Sequence, residues 1–181
     1  NALNERPSWS LLFQRFDQTI CQRCEQCFEQ VDEAIEITTG LTVHALFHYN
    51  EAMKDYFHRY KFMHDTILSH VFSKQIYDAL KHTHVVPIPM HRDKLKERTF
   101  SPVELLLQSA GIRYESLLEK TTVDTQGSKT REERLQTPQI FRLVEKPTHS
   151  RYTIFDDIVT TGVTLQHAKA LLLQAGVAEV S

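Results

Sequence analysis

Several things this chain lacks narrow the field. None of its apolar runs approaches the ~20 residues of a membrane-spanning helix, so no membrane insertion is expected. It has 3 cysteines in 181 residues, too few and odd in number for a secreted disulfide scaffold. The formal net charge is −2, which removes any global electrostatic case for nucleic-acid binding and leaves only local basic clusters. No Ser–His–Asp or Cys–His arrangement suggests a covalent nucleophile. A P-loop is absent as well. Its nearest candidate, Gly127-Ser128-Lys129-Thr130, has no glycine directly before the lysine and no preceding strand.

What remains reads as one α/β domain with a small appendage, expected to be cytoplasmic. With 41% hydrophobic and 24% charged residues, the chain can bury a sizeable core. It opens on Asn rather than Met, so a missing start is expected. Residues 1–40 read as an N-terminal module with helical character that carries all three cysteines, and residues 41–181 as the main domain. Strands are expected over Thr42–Tyr49, Val85–Met90, Ser116–Thr121, Ile140–Val144 and Tyr152–Phe155. Helices are expected from Asn50, over a second stripe from Ile67 to Leu80, from Ser101 to Ile112 and from Val163 to Ala175. Residues from Thr121 to Glu133 read as a loop. Alternation of strand and helix implies a parallel, Rossmann-like sheet.

The stretch IFDDIVTTGVTL concentrates the chemistry. Asp156 and Asp157 end an apolar strand, where open α/β sheets bind their ligands. Adjacent side chains at a strand tip diverge, so the acids need not touch. Placing both there still costs repulsion and dehydration, which a ligand or metal would offset. Thr160, Thr161, Gly162, Val163 and Thr164 then bring backbone N–H groups to a helix start, which favours an anion. Gly162 allows close backbone approach. Acceptors for hydroxyls beside donors for a phosphate suit a sugar phosphate.

This stretch resembles the phosphoribosyl-pyrophosphate (PRPP) motif of type I phosphoribosyltransferases. The resemblance implies that Asp156 and Asp157 hold the ribose 2′- and 3′-hydroxyls and that Thr160–Thr164 wrap the 5′-phosphate. YKFMHD (60–65), VVPIPMHRDKLKERTF (85–100) and the loop with Thr122, Gln126, Arg131 and Arg134 resemble successive elements of ComF-type competence proteins. The chain is thus similar to ComF-type members of the type I phosphoribosyltransferase family over roughly 42–181. Three departures stand out: His64 and Thr99 occupy positions where that family usually has glycine, and Ser101-Pro102 replace its Asn-Gln.

The resemblance implies a PRPP-dependent transferase of unknown acceptor, with Mg²⁺ bridging the pyrophosphate oxygens. Arg92, Lys94, Lys96 and Arg98, together with Lys129, Arg131 and Arg134, are candidates to grip the leaving pyrophosphate from two loops. The alternative is a non-catalytic accessory protein contacting single-stranded DNA or the DNA-uptake machinery. A PRPP sensor acting on a partner is a third option.

Cys21, Cys24 and Cys27 have metal-ligand spacing, but a structural zinc site takes four ligands. ComF-type proteins often carry an N-terminal zinc module. That implies Zn²⁺ in the full-length protein, with a partner cysteine pair before Asn1. The histidines read as structural or surface residues: His82 and His84 are expected on one strand face, His44 and His48 lie four apart, and no third ligand supports either pair.

Overall fold

The computed structural model describes residues 19–31, 33–38, 41–121 and 140–181. A short helix α1 (Gln22–Glu25) precedes a hairpin of β1 (Ile35–Thr38) and β2 (Leu41–Val43). Then follow α2 (Glu51–Phe62), a 3₁₀ turn (Thr66–His70), α3 (Ser73–Leu80), β3 (Val85–Pro87), α4 (Arg92–Arg98) and α5 (Pro102–Ser109). The chain continues through β4 (Leu118–Lys120), β5 (Phe141–Leu143), β6 (Arg151–Phe155), α6 (Val163–Gln174) and β7 (Glu179–Val180).

The central sheet is parallel, in the order β3-β6-β7. Val85, Val86 and Pro87 pair with Thr153, Ile154 and Phe155, and Arg151 and Tyr152 pair with Glu179 and Val180. The expected parallel sheet is therefore present as three strands. The remaining strands form two antiparallel pairs, β1-β2 and β4-β5. In β4-β5, Leu118 and Lys120 face Leu143 and Phe141, so this pair folds back on itself.

Two apolar layers enclose the parallel sheet. One holds Val86, Ile88, Tyr152 and Ile154 against β4-β5 and α6, where Leu165, Ala168 and Leu172 are buried. The other holds Val85 and Phe155 against α2, α3 and α5. The alternation of β6 between layers is the period-2 pattern of a strand buried on both faces.

Local chemistry explains most helix boundaries. Asn50 caps α2, its Oδ1 accepting from Met53 N–H at 3.0 Å. Pro102 opens α5 at a position that needs no N–H donor, although the Ser101 side chain makes no capping hydrogen bond. Gly176, at φ +95°, takes the chain out of α6.

Three expected elements differ. The strand expected over 42–49 ends at Val43, and only an isolated Gln30–Phe47 bridge follows. Leu46 and Phe47 there pack toward the α2–α3 layer instead of alternating. The stripe from Ile67 to Leu80 is broken into a 3₁₀ turn and α3, with Val71 and Phe72 between them. The basic segment after β3 is a helix, α4, not a loop. The hairpin β1-β2 spans the boundary expected at 40/41. Phe28 also packs edge-on to Tyr56 and Phe72, so the cysteine segment is anchored on the main domain.

Candidate functional site

Asp156 and Asp157 follow β6 directly, at the carboxyl end of the parallel strands. The strand's alternation sends them to opposite layers. Asp157 Oδ2 meets Lys61 Nζ, from the last turn of α2, at 2.6 Å, and both side chains are nearly buried at 12% and 13% exposure. Asp156 turns to the other layer, where the positive charges of Lys61 first and Lys120 second still act on it. Its Oδ1 accepts the Asp157 N–H at 2.8 Å.

The electrostatics separate the two acids. Burial first, and the neighbouring Asp157 charge second, push the Asp156 carboxyl up to about 8. Asp157 instead has a cation in direct contact. Lys61 also lies 4.5 Å from the Phe57 ring centroid, so an aromatic face helps hold its ammonium in place. Burial and the Asp157 charge both push the Tyr60 phenol upward, so it stays a hydrogen-bond donor, here to Pro102 O at 2.8 Å. The resulting cluster is one carboxylate clamped by a lysine beside one carboxyl that holds its proton near neutrality.

Downstream, Gly162 sits at the N-cap of the 12-residue helix α6 with φ +73° and no side-chain cap. A Cβ there would lie 3.0 Å from Leu41 Cδ2 and 3.3 Å from Ile37 Cγ2. Glycine is therefore demanded twice, by the left-handed backbone and by the hairpin packed over it. Thr160 and Thr161 are exposed, Val163 is buried and Thr164 is half-buried. The first N–H groups of α6 have no intrahelical partner by construction.

A cavity of about 610 Å³ lies between the hairpin, α2 and the end of β6. Asp156 and Asp157 line it, with Tyr56, Phe57, Leu165 and Lys169. The turn residues 160–164 are not among its walls. The acids and the turn are thus adjacent in sequence but do not open into this one cavity.

Of the basic candidates, Arg92 forms an ion pair with Glu119, which Arg142 also contacts. Lys96 is 3.9 Å from Asp93. The Arg98 guanidinium lies 5.2 Å from the Phe62 ring centroid. Lys94 is half-buried on α4. Lys129, Arg131 and Arg134 lie outside the described residues. So, among the described basic candidates, Arg92 is engaged by a carboxylate and Arg98 by an aromatic ring.

His64 and Thr99, where the family resemblance expects glycine, have φ of +55° and +68°. They are the non-glycine positive-φ residues among those described, and each follows a helix of this region. The left-handed backbone a glycine would supply is present here without the glycine.

The cysteines are free thiols. Cys21 Sγ and Cys24 Sγ are 3.5 Å apart, whereas Cys27 Sγ points to Arg23 O at 3.4 Å. Hydrogen bonds with the Cys24 backbone first and its thiol second lower the Cys21 thiol, and the thiol–thiol contact raises Cys24. The histidine expectation needs correction. His82 lies in a turn and His84 precedes β3, so they do not share a strand face. His84 also has company that spacing did not reveal, Glu115 and His149.

Two site residues escaped the sequence reading. Lys61 was visible only as part of YKFMHD, and a lysine four residues after Phe57 on an aromatic helix face was the available signal. Lys120 had no local signal.

Fold and site together define an α/β protein with an acid pair at the carboxyl edge of a parallel sheet and an uncapped helix start beside it. No family profile matches the chain. It is 35% identical over 194 residues to competence protein ComFC of Streptococcus pneumoniae, covering 94% of this chain and 88% of that one. It is 29% identical over 164 residues to competence protein ComFC of Bacillus subtilis, covering 87% of this chain and 67% of that one. The chain belongs to the ComFC family of competence proteins. Among the described residues, no helix is long and apolar enough to cross a membrane.

Proposed function

We propose that this protein binds Mg²⁺–PRPP at the carboxyl edge of its sheet, on a fold of the type I phosphoribosyltransferase kind, and that it serves DNA uptake during competence in the cytoplasm. The observation that carries the reading is the Asp156–Asp157 pair. Two carboxyl groups sit at one strand end, one in direct contact with Lys61 and one with its proton affinity raised by burial. Such a pair suits a ligand that brings hydroxyl donors and positive charge, which would take the place of the proton on Asp156. Ribose hydroxyls supply the donors and the substrate's Mg²⁺ supplies the charge.

In this reading Asp157 keeps its contact with Lys61 while accepting a ribose hydroxyl, since a carboxylate offers about four acceptor sites. Asp156 gives up its proton to accept the second hydroxyl. The 5′-phosphate approaches Thr160 and Thr161 from their exposed side and takes the free amides of the α6 start. Arg98 is the described basic residue assigned to the pyrophosphate in this reading. If turnover occurs, the anomeric carbon becomes cationic as pyrophosphate leaves, and the protein's part is charge stabilisation. Cys21 and Cys24 have sulfurs at a separation suited to two thiolates on one tetrahedral zinc, about 3.7 Å from bond lengths of ~2.3 Å. They would form half of such a structural site.

The reading is tested by Mg²⁺-dependent PRPP binding that is lost in Asp157→Ala. Undiminished binding by that variant would remove the assignment.

A second reading is favoured by Phe62, 66% exposed and flanked by Arg98. An aromatic face beside a guanidinium is a stacking platform for single-stranded DNA. Its signature is salt-sensitive oligonucleotide binding that Phe62→Ala weakens.

A further inference from the structure

The opposite end of the sheet carries a second cluster. His84 immediately precedes β3. Glu115 follows the Val85–Tyr114 bridge, its N–H donating to Val85 O at 2.9 Å. His149 lies in the turn before β6. Three chain segments therefore meet at the amino end of the parallel strands, roughly 16 Å along β6 from the acid pair at ~3.3 Å per residue.

One donor atom from each of His84, Glu115 and His149 lies within 4.8 Å of the other two. His149 Nε2 and Glu115 Oε1 are 3.4 Å apart. Two nitrogen or oxygen ligands on one tetrahedral ion stand about 3.4 Å apart, given bond lengths of ~2.1 Å. The two imidazole rings stack with centroids 3.5 Å apart and planes 12° from parallel; because an imidazole ligates in its own plane, one exposed ring must rotate out of the stack to share an ion with the other. Both histidines are exposed, so an ion reaches them without opening the fold.

The carboxylate is held from behind. Glu115 Oε2 accepts from Tyr152 OH at 2.8 Å and from Thr148 Oγ1 at 3.2 Å. Tyr152, 2% exposed, in turn accepts the N–H groups of Thr148 and His149 at 3.0 and 3.2 Å. These bonds occupy one oxygen of Glu115 and turn the other, Oε1, toward His149. Outer hydrogen bonds of this type fix a ligating carboxylate in its metal-bound orientation.

We propose that His84, Glu115 and His149 bind a divalent transition metal of the zinc class, with water completing the coordination. Two imidazoles and a carboxylate are a borderline-soft set that suits zinc over magnesium. The ion ties together the starts of β3 and β6 and the segment leading to β4. This site is independent of the cysteines and of PRPP.

The test uses the full chain with Cys21, Cys24 and Cys27 all changed to serine, so that thiolates cannot contribute. Titration with Zn²⁺ is followed by calorimetry and by thermal melting, and Co²⁺ absorption reports the ligand type. The expected result is one equivalent of Zn²⁺ bound with a rise in melting temperature. The Co²⁺ spectrum shows d–d bands without thiolate charge transfer. His149→Ala and Glu115→Gln each weaken binding tenfold or more. His149→Ala alters an exposed side chain, and unchanged circular dichroism of that variant confirms its fold. Absence of zinc binding in the serine background would overturn the proposal, as would full affinity in the His149→Ala variant.

Discussion

The two ends of the parallel sheet are built from different chemistry. At the carboxyl end, Asp157 is nearly buried against Lys61, and burial drives the neighbouring Asp156 carboxyl up to about 8. At the amino end, Glu115 is braced by Tyr152 and Thr148, and two exposed histidines stand beside it. The backbone differs as well. His64 and Thr99, the non-glycine residues at positive φ, flank Lys61 and Arg98 near the acidic end. Around the histidine cluster the described residues show no such position. Strain is retained near one end only, as at sites where geometry is held for a ligand. The comparison teaches that the acidic end is dehydrated and conformationally costly, whereas the other end is polar, exposed and braced by hydrogen bonds.

The largest expected effect comes from breaking the acidic end. Asp157→Ala strands Lys61 in a nearly dehydrated position, so the loss of stability is about 3–5 kcal/mol. A denaturant titration measures it. The double variant Lys61→Met, Asp157→Leu recovers most of that loss, and His149→Ala, at the other end, leaves stability nearly unchanged.

Next is pH. Asp156 has a folded-state value of about 8 against 3.8 as an ordinary carboxyl. Between these values the folded state holds a proton that the unfolded state has released. Its contribution therefore favours folding at low pH and is lost as pH rises from about 4 to about 8, with a slope of at most ~1.4 kcal/mol per pH unit. Comparing wild type with Asp156→Asn by denaturation across that range isolates the slope, and a wild-type profile identical to that of the variant contradicts it. In PRPP binding the sign reverses. Affinity grows with pH over the same window, and a proton is released.

Gly162→Ala follows. The left-handed backbone alone costs about 1–2 kcal/mol for a residue with a Cβ, and contact with Leu41 adds to it. Thermal melting shows the drop. The smallest effects sharpen the backbone contrast. His64→Gly and Thr99→Gly each raise stability by roughly 0.5–1 kcal/mol, because strain relief exceeds the added entropy of the unfolded chain. Destabilisation by either would show that the side chain matters more than the backbone.

What the sequence disclosed was local. The run from Ile154 to Leu165 carries its strand, acids, turn and helix within twelve consecutive residues, so periodicity and turn chemistry locate them without tertiary knowledge. Asn50, Pro102 and Gly176 mark helix ends by chemistry that is equally local. The hidden parts are non-local. Lys61 meets Asp157 across 96 positions, and His84, Glu115 and His149 come from three separate segments. No spacing rule connects such residues. The strand expected over 42–49 failed because β-branched and aromatic content does not distinguish a sheet strand from an irregular segment whose Leu46 and Phe47 pack on helices. The acid pair and the turn are neighbours in the chain; the acids line the cavity beside the hairpin, and Thr160 and Thr161 are exposed outside its walls.

Calorimetric titration of the full chain with PRPP and Mg²⁺, beside a ribose 5-phosphate control, tests the central claim most directly. The account predicts saturable one-to-one binding of PRPP that requires Mg²⁺, with ribose 5-phosphate at least tenfold weaker. No binding of PRPP at saturating Mg²⁺, or equal binding of both compounds, would contradict it.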